Sequence, residues 1–307
     1  MPGGSPDRRQ DDPSGRRPLG DDPAWVGRTV DRAAHRRGDA EWLSKAWQRG
    51  RVVVVDGNHA LVVGDPPSLV MVDAGAAPDG DRLFLGVDAD DVPYFAVAGE
   101  PPELDGASSA TLRLVGALLS ARDADLFATA AGLVNWHTRY RFCPTTGQPT
   151  ESADGGWVRR TADGEATVFP RTDPAVIVLV SDGQPGETGR AMLGRGATWP
   201  EGRFSCLAGF VEPGESAETT VAREVAEEVG LAVGDIRYVT SQPWPFPGSL
   251  MLAFTALADP AEPLRLDPAE IAEAHWFTRS ELRELWRSRE PITTSVAYHL
   301  MAGWLNG

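Results

Sequence analysis

The stretch GFVEPGESAETTVAREVAEEVGL, residues 209–231, constrains this chain more than any other part of it. Pro213-Gly214 forces a turn. Ser216 is placed to cap the start of a helix, and Gly230 to end it. Between them Val221, Val225 and Val229 recur every four residues, so the helix must lay one face on an apolar layer. Glu224, Glu227 and Glu228 fall at i, i+3 and i+4 and crowd another face, where like charges repel. A solvated acidic face is the plain reading of such a helix. Three crowded carboxylates are better explained by a cation between them, and an all-oxygen donor set suits Mg²⁺ or Mn²⁺. Such a cation binds phosphate-rich substrates and activates water. Arg223 is placed to orient one carboxylate by paired hydrogen bonds.

The 307 residues suit one large or two ordinary domains. Residues 1–22, rich in Pro, Gly, Asp and Arg, read as a disordered tail. Residues 23–136 alternate apolar runs with turns. "RVVVVDGNHALVV" reads as a hairpin about Asp56-Gly57, and "SLVMVDAG", "RLFLGVD" and "PYFAVAG" as further strands. Helical spacing then begins, with Leu112, Leu114, Val115, Leu118 and Leu119 near one face, followed by a second helix from Phe127 to Trp136. This half carries no chemical motif and reads as an α+β scaffold or dimerisation domain. Residues 137–172 are polar and turn-rich. Residues 173–307 mix strands such as "AVIVLV" with helices, which predicts a mixed sheet covered on both faces.

Lys and Arg number 29 against 44 Asp and Glu, a net charge of −15, which disfavours general binding to nucleic acid or anionic membranes. The N-terminus lacks the apolar core of a signal peptide, and no apolar run reaches the roughly 18 residues that a membrane span requires. Cys143 and Cys206 are too few for a disulfide framework, so a reducing, cytoplasmic location is expected.

Residues 209–231 satisfy G-x5-E-x7-R-E-U-x-E-E-x-G-U, with U aliphatic, at Gly209, Glu215, Arg223, Glu224, Val225, Glu227, Glu228, Gly230 and Leu231. This resembles the Nudix box. The resemblance implies an α/β/α sandwich and metal-dependent hydrolysis of a nucleoside diphosphate derivative. Ten residues on, "SQPWPFPGS" (241–249) carries three prolines. Taken alone it reads as a stiff extended loop rather than a central strand. It is also similar to the SQPWPFPxS signature of the NudC-like NADH pyrophosphatases. "LAGFVE", "SLMLAF", "DPAE", "AHWF" and "WHTRYRFC" extend the likeness over roughly residues 130–300.

That resemblance implies cleavage of NADH or NAD⁺ to the nicotinamide mononucleotide and AMP, and removal of NAD caps from RNA. It implies two to three Mg²⁺ or Mn²⁺ ions at Glu224, Glu227, Glu228, Glu270 and the Ala208 backbone. Glu228, Glu270 and Arg223 would be catalytic. Phe210, Ser249, Ala297, Gln242 and Trp244 would contact the substrate, with Phe169 reaching a partner subunit's site in a homodimer. The family carries two Cys-x-x-Cys zinc pairs, whereas Cys143 stands alone and Thr146 takes its partner's place. No structural zinc is therefore expected. The alternatives are ADP-ribose or another dinucleotide as substrate, an RNA end-processing enzyme, or a nucleotide-binding regulator without catalysis.

Overall fold

A computed structural model describes residues 23, 29–288 and 291–307; the tail expected at 1–22 lies outside them. Helix α1 (Ala40–Gln48) is capped by Asp39, whose carboxylate accepts the Trp42 N–H. There follow β1 (Arg51–Val55), β2 (His59–Val63), β3 (Ser68–Leu69), β4 (Val72–Asp73), β5 (Leu83–Val87), β6 (Pro93–Ala98) and β7 (Ala107–Thr111). Helices α2 (Leu112–Val115) and α3 (Ala121–Arg139) close this part of the chain. The strands form two sheets, ordered β4-β1-β6-β5 and β3-β2-β7.

The predicted hairpin is half right. Asp56 and His59 exchange both backbone hydrogen bonds at 2.9 Å, but β1 and β2 then part into different sheets. The reason is burial: Val52, Val53, Val54 and Val55 are all buried, which needs cover on both faces. The helix expected over 112–119 also shrinks to the single turn of α2. Leu112 and Leu119 are buried, while Leu114 and Leu118 are 73% and 59% exposed. Helix α3 runs further than expected in both directions, with Ser120 accepting the Asp123 N–H at its start.

A three-stranded antiparallel sheet follows, ordered β10-β9-β8, from β8 (Thr150–Ala153), β9 (Val158–Thr161) and β10 (Thr167–Val168). It is pinned to α3 by Arg159, whose Nη1 lies 2.7 Å from His137 Nδ1. Because arginine only donates, Nδ1 accepts, and Nε2 donates to the Gly156 carbonyl at 2.8 Å. Burial, with Arg159 adding to it, pushes the His137 pKa down.

The C-terminal part holds β11 (Asp173–Ser181), β12 (Arg190–Gly196), β13 (Leu207–Phe210), α4 (Ala217–Val229), β14 (Gly234–Trp244), β15 (Ser249–Leu257), β16 (Ile271–Thr278), α5 (Arg279–Ser288) and α6 (Val296–Asn306). The sheet runs β14-β15-β11-β12-β16, with β13 also on β11. Strand β11 is buried on both faces. Val176, Val178 and Val180 pack with Val221, Val225 and Val229 of α4. Ile177 and Leu179 pack on the other side with Leu282 of α5 and Val296 and Leu300 of α6. This is the expected α/β/α sandwich. The proline stretch differs from its reading as a loop. Residues 241–244 end β14, with Pro243 opposite Leu250 and Trp244 opposite Ser249. Proline is tolerated there because β14 is an edge strand.

Candidate active site

Strand β13, the turn after it and α4 carry the acidic residues. Ser216 Oγ accepts the Thr219 N–H, and Gly230 closes α4 with φ 76°. Arg223 organises the rest. It grips Glu215 with both arms, Nε to Oε1 at 2.8 Å and Nη2 to Oε2 at 2.9 Å. Its Nη1 reaches Glu224 at 2.9 Å and Glu227 at 2.8 Å, and Nη2 donates to the Phe210 carbonyl. The Glu212 N–H and the Thr220 hydroxyl complete the cradle of Glu215. These hydrogen bonds, Arg223's first, hold the Glu215 carboxyl down at about 2. Arg223 thus ties the turn to the helix and orients three carboxylates.

Two residues show why the acids sit deep. A Cβ on Gly209 would lie 1.8 Å from the Glu224 carboxyl carbon, so only glycine lets Glu224 close on β13. Glu228 is 6% exposed, and its Oε2 is buried without a hydrogen-bond partner. Burial first, then the charges of Glu224 and Glu270, push the Glu228 carboxyl up to about 8. The Ala208 N–H opposes this shift. Burial also raises the Glu224 pKa.

Glu270 joins them from the turn before β16. Its carbonyl accepts the Ala197 N–H at 2.8 Å, and its N–H donates to Asp267, which itself donates to the Glu228 carbonyl. Glu228, Glu270 and Ala208 line one cleft of about 280 Å³. Among the described residues no three or more His, Cys, Asp or Glu side chains are arranged so that they could hold a metal ion as they stand. The acids are close neighbours, with Glu215, Glu224 and Glu227 held by Arg223.

A second cavity, of about 420 Å³, adjoins this cleft and is lined by Ala208, Gln242, Trp244 and Ala297 among others. Trp199, Cys206 and Ala208 line both. Gln242 is fully buried; its Nε2 donates to the Thr294 carbonyl and its Oε1 accepts the Val296 N–H, each at 2.8 Å. It therefore shapes the cavity by holding the start of α6. Phe210, Phe169 and Ser249 line neither cavity. Phe210 and Phe169 are 60% and 66% exposed, and Ser249 sits in the ladder opposite Trp244.

The sequence reading missed Trp199, Arg203 and Arg113. Trp199 is fixed by the Arg203 guanidinium, 4.5 Å over its ring, and by Arg195, which donates to its carbonyl and pairs with Glu273. The only signal in the sequence was an aromatic beside proline and arginine in "ATWPEGRF". Cys206 is a buried thiol, pushed up to about 12 by burial, as its reading as a small apolar residue implies.

A glycine-rich strand end, a turn and a glutamate helix, set in an α/β/α sandwich, define a Nudix hydrolase. Residues 171–296 match the NUDIX domain family, 46–136 the NADH pyrophosphatase-like rudimentary NUDIX domain, and 138–160 the NADH pyrophosphatase zinc ribbon domain. The chain is 42% identical over 280 residues to the NAD-capped RNA hydrolase NudC of Mycobacterium tuberculosis H37Rv, covering 89% of this chain and 88% of that protein. It is 39% identical over 201 residues to human NAD-capped RNA hydrolase NUDT12, covering 61% of this chain and 43% of that one. A solved NUDIX hydrolase from Nitrosomonas europaea aligns with 46% of this chain and 79% of its own, at 20% identity and TM-score 0.38. The chain belongs to the NudC-like NADH pyrophosphatase family of Nudix hydrolases.

The match at 138–160 corrects the expectation of no structural zinc. Counting thiolates misjudged the segment, because a ribbon is also defined by its turns and strands. The turn at Cys143 is closed by backbone hydrogen bonds: the Gly147 N–H donates to the Cys143 carbonyl, and the Cys143 N–H to the Gln148 carbonyl, each at 2.8 Å. The Thr146 side chain, then the Thr146 and Thr145 backbone, hydrogen-bond the thiol and lower its pKa.

Proposed function

We propose that this protein hydrolyses the diphosphate of NADH and NAD⁺, yielding the nicotinamide mononucleotide and AMP, and removes NAD caps from RNA by cleaving the same bond. The carrying observation is the junction of the two cavities. An acidic cleft suited to a cation-bound diphosphate opens through Trp199, Cys206 and Ala208 into an aromatic cavity suited to a flat ring. The NudC and NUDT12 relatives, named as NAD-capped RNA hydrolases, support the same substrate class.

The acids fit Mg²⁺ or Mn²⁺. All donors are oxygen, Glu228 Oε2 is buried without a partner, and burial first, then the neighbouring carboxylates, raises the Glu228 pKa. Glu224, Glu227, Glu228, Glu270 and the Ala208 backbone would hold two to three ions. Bound there, the ions would neutralise the diphosphate and acidify water. Arg223 serves catalysis by keeping Glu215, Glu224 and Glu227 oriented. Glu228, with Glu270 beside it, accepts the proton of the attacking water. Oxygen adds to phosphorus, the anhydride P–O bond breaks, and one mononucleotide leaves as a phosphate monoester. Ala297, Gln242 and Trp244 shape the ring's cavity, and Ser249 and exposed Phe210 would contact the substrate outside it. Exposed Phe169 supports a homodimer in which it reaches the other subunit's site. Among the described residues no helix is long and apolar enough to cross a membrane, and both cysteines are free. We assign the protein to the cytoplasm.

The test is a product assay with NADH, NAD⁺, ADP-ribose and NAD-capped RNA, each with Mg²⁺ or Mn²⁺ and with EDTA. EDTA-sensitive release of AMP and reduced mononucleotide from NADH is expected. Cleavage of ADP-ribose alone would overturn the nicotinamide pocket, and no cleavage at all would favour a nucleotide-binding regulator.

A further inference from the structure

The N-terminal domain and the ribbon meet around a pocket of about 580 Å³ that shares no lining residue with either cavity of the active site. We propose that this pocket is a separate binding site for a phosphate group, held by Arg37, Arg82 and Arg160.

The pocket is assembled from distant segments: the start of α1, the residues just before β5, and the ribbon turn Asp154–Gly156. A Cβ on Gly156 would lie 2.5 Å from Leu83 Cδ2, so glycine there lets the ribbon backbone close on β5. Trp157 follows, and its Nε1 donates to the Phe84 carbonyl at 2.7 Å, which fixes the ring. The Arg37 guanidinium carbon lies 3.6 Å from the centroid of that ring. Arg82 stands over Trp47 in the same way at 4.5 Å, and Trp47 is itself buried against Phe95. A guanidinium held over a fixed ring keeps its edge donors as a fork that matches phosphate. Ser44 and Ser152 add hydroxyl donors, and α1, nine residues long, brings the positive end of its backbone dipole to the pocket at Ala40.

The charges lining the pocket do not balance. Its acids are Asp81 and Asp154, and both are committed: Asp154 to Arg160 at 2.5 Å, and Asp81 to Arg159 at 3.5 Å. Arg37 and Arg82 have no carboxylate partner among the described residues, and Arg37 Nε is buried without a hydrogen-bond partner. Burial first, then the charge of Arg32, lowers the Arg37 pKa. Two guanidiniums without counter-charge at one pocket, in a chain of net charge −15, mark a place for an anion. The space admits a mononucleotide. The phosphate comes from one of two sources: a phosphate monoester, such as a free mononucleotide, or a phosphodiester of an RNA chain. The pocket's chemistry does not depend on the hydrolase reading.

The test compares wild type with Arg37→Gln, Arg37→Lys and Arg82→Gln in the full chain, with circular dichroism to show that each is folded. Dissociation constants for inorganic phosphate, AMP and an uncapped RNA decamer with a 5′-hydroxyl are measured by calorimetry in EDTA, and NADH kinetics with Mn²⁺. Arg37→Gln should weaken binding about tenfold, as loss of a charged hydrogen bond does, and exposed Arg82→Gln about threefold to fivefold. Arg37→Lys should recover part of the affinity, which a purely structural role would not predict. Weakening for AMP and phosphate assigns the site to monoesters, and weakening for the decamer alone assigns it to phosphodiesters. No binding of any probe by wild type, or affinities within twofold of wild type in both glutamine variants, overturns the proposal. So does a rise in the KM for NADH that matches the loss of binding, because the variants would then act on the active site. Inactivity toward NADH would sink the hydrolase reading and leave the binding result to decide this one.

Discussion

Glu228 carries a stability penalty that the metal-free protein should reveal. Its folded carboxyl titrates near 8 against an ordinary value of 4.5. The folded state therefore holds a proton that the unfolded chain releases. Stability from this group is complete below pH 4.5 and is lost as pH rises through 8. At pH 7 the loss is about 3 kcal/mol, and above pH 8 it approaches 4–5 kcal/mol, at 1.36 kcal/mol per unit. Glu228→Gln keeps the shape without the charge and offers an amide to the neighbouring acids. In EDTA, Glu228→Gln should match wild type near pH 4.5 and become progressively more stable up to pH 8. At pH 7 the gain should be roughly 5–10 °C in Tm. Thermal unfolding of both proteins at half-unit steps, with and without 5 mM Mn²⁺ (on the order of the affinities of carboxylate sites), measures it. The cation should raise wild type and leave the variant behind, while Glu228→Gln loses at least 100-fold in kcat. A flat difference between the two proteins across pH 5–9 would refute the account of Glu228 as a buried acid crowded by Glu224 and Glu270.

The remaining predictions concern the surroundings of that residue. Gly209→Ala places a methyl inside the Glu224 carboxylate, so turnover should fall at least 100-fold while circular dichroism keeps the sandwich signature. Gln242→Ala leaves the Thr294 carbonyl and Val296 N–H without partners in a buried site, and denaturant unfolding should show a loss of about 2–4 kcal/mol. Phe169→Ala removes an exposed ring and should leave Tm within about 1 °C, as for other surface changes. If Phe169 reaches a partner's site, the KM for NADH should rise several-fold in a dimer that remains intact by light scattering, and an active monomeric wild type would contradict it.

Much of this protein is legible in its sequence because the informative patterns are local. Val221, Val225 and Val229 at four-residue spacing fix which face of α4 is buried, and Ser216 and Gly230 mark its ends, since capping depends only on neighbouring backbone groups. The acids at 224, 227 and 228 follow from that same helix, and Glu215 stands just before its Ser216 cap. Tertiary structure decided what depends on distant partners. Strand β1 left the turn at Asp56-Gly57 for a different sheet because four consecutive valines needed cover on both faces. "SQPW" became a strand because it landed on a sheet edge. The 112–119 stretch, periodic enough for a helix, was cut to one turn and left Leu114 and Leu118 outside. The ribbon resists reading by cysteine count because its turns and strands are set by backbone hydrogen bonds. Above all, local sequence says nothing of which side chains will share a cavity. Arg113 reaches Trp244 and Thr294 only when chain segments more than 100 residues apart pack together, and Trp199 comes to share a cleft with Glu228 and Glu270 from separate segments of the chain. Spacing along the chain determined the chemistry of the acidic helix, whereas packing between segments determined the cavity that would select its substrate.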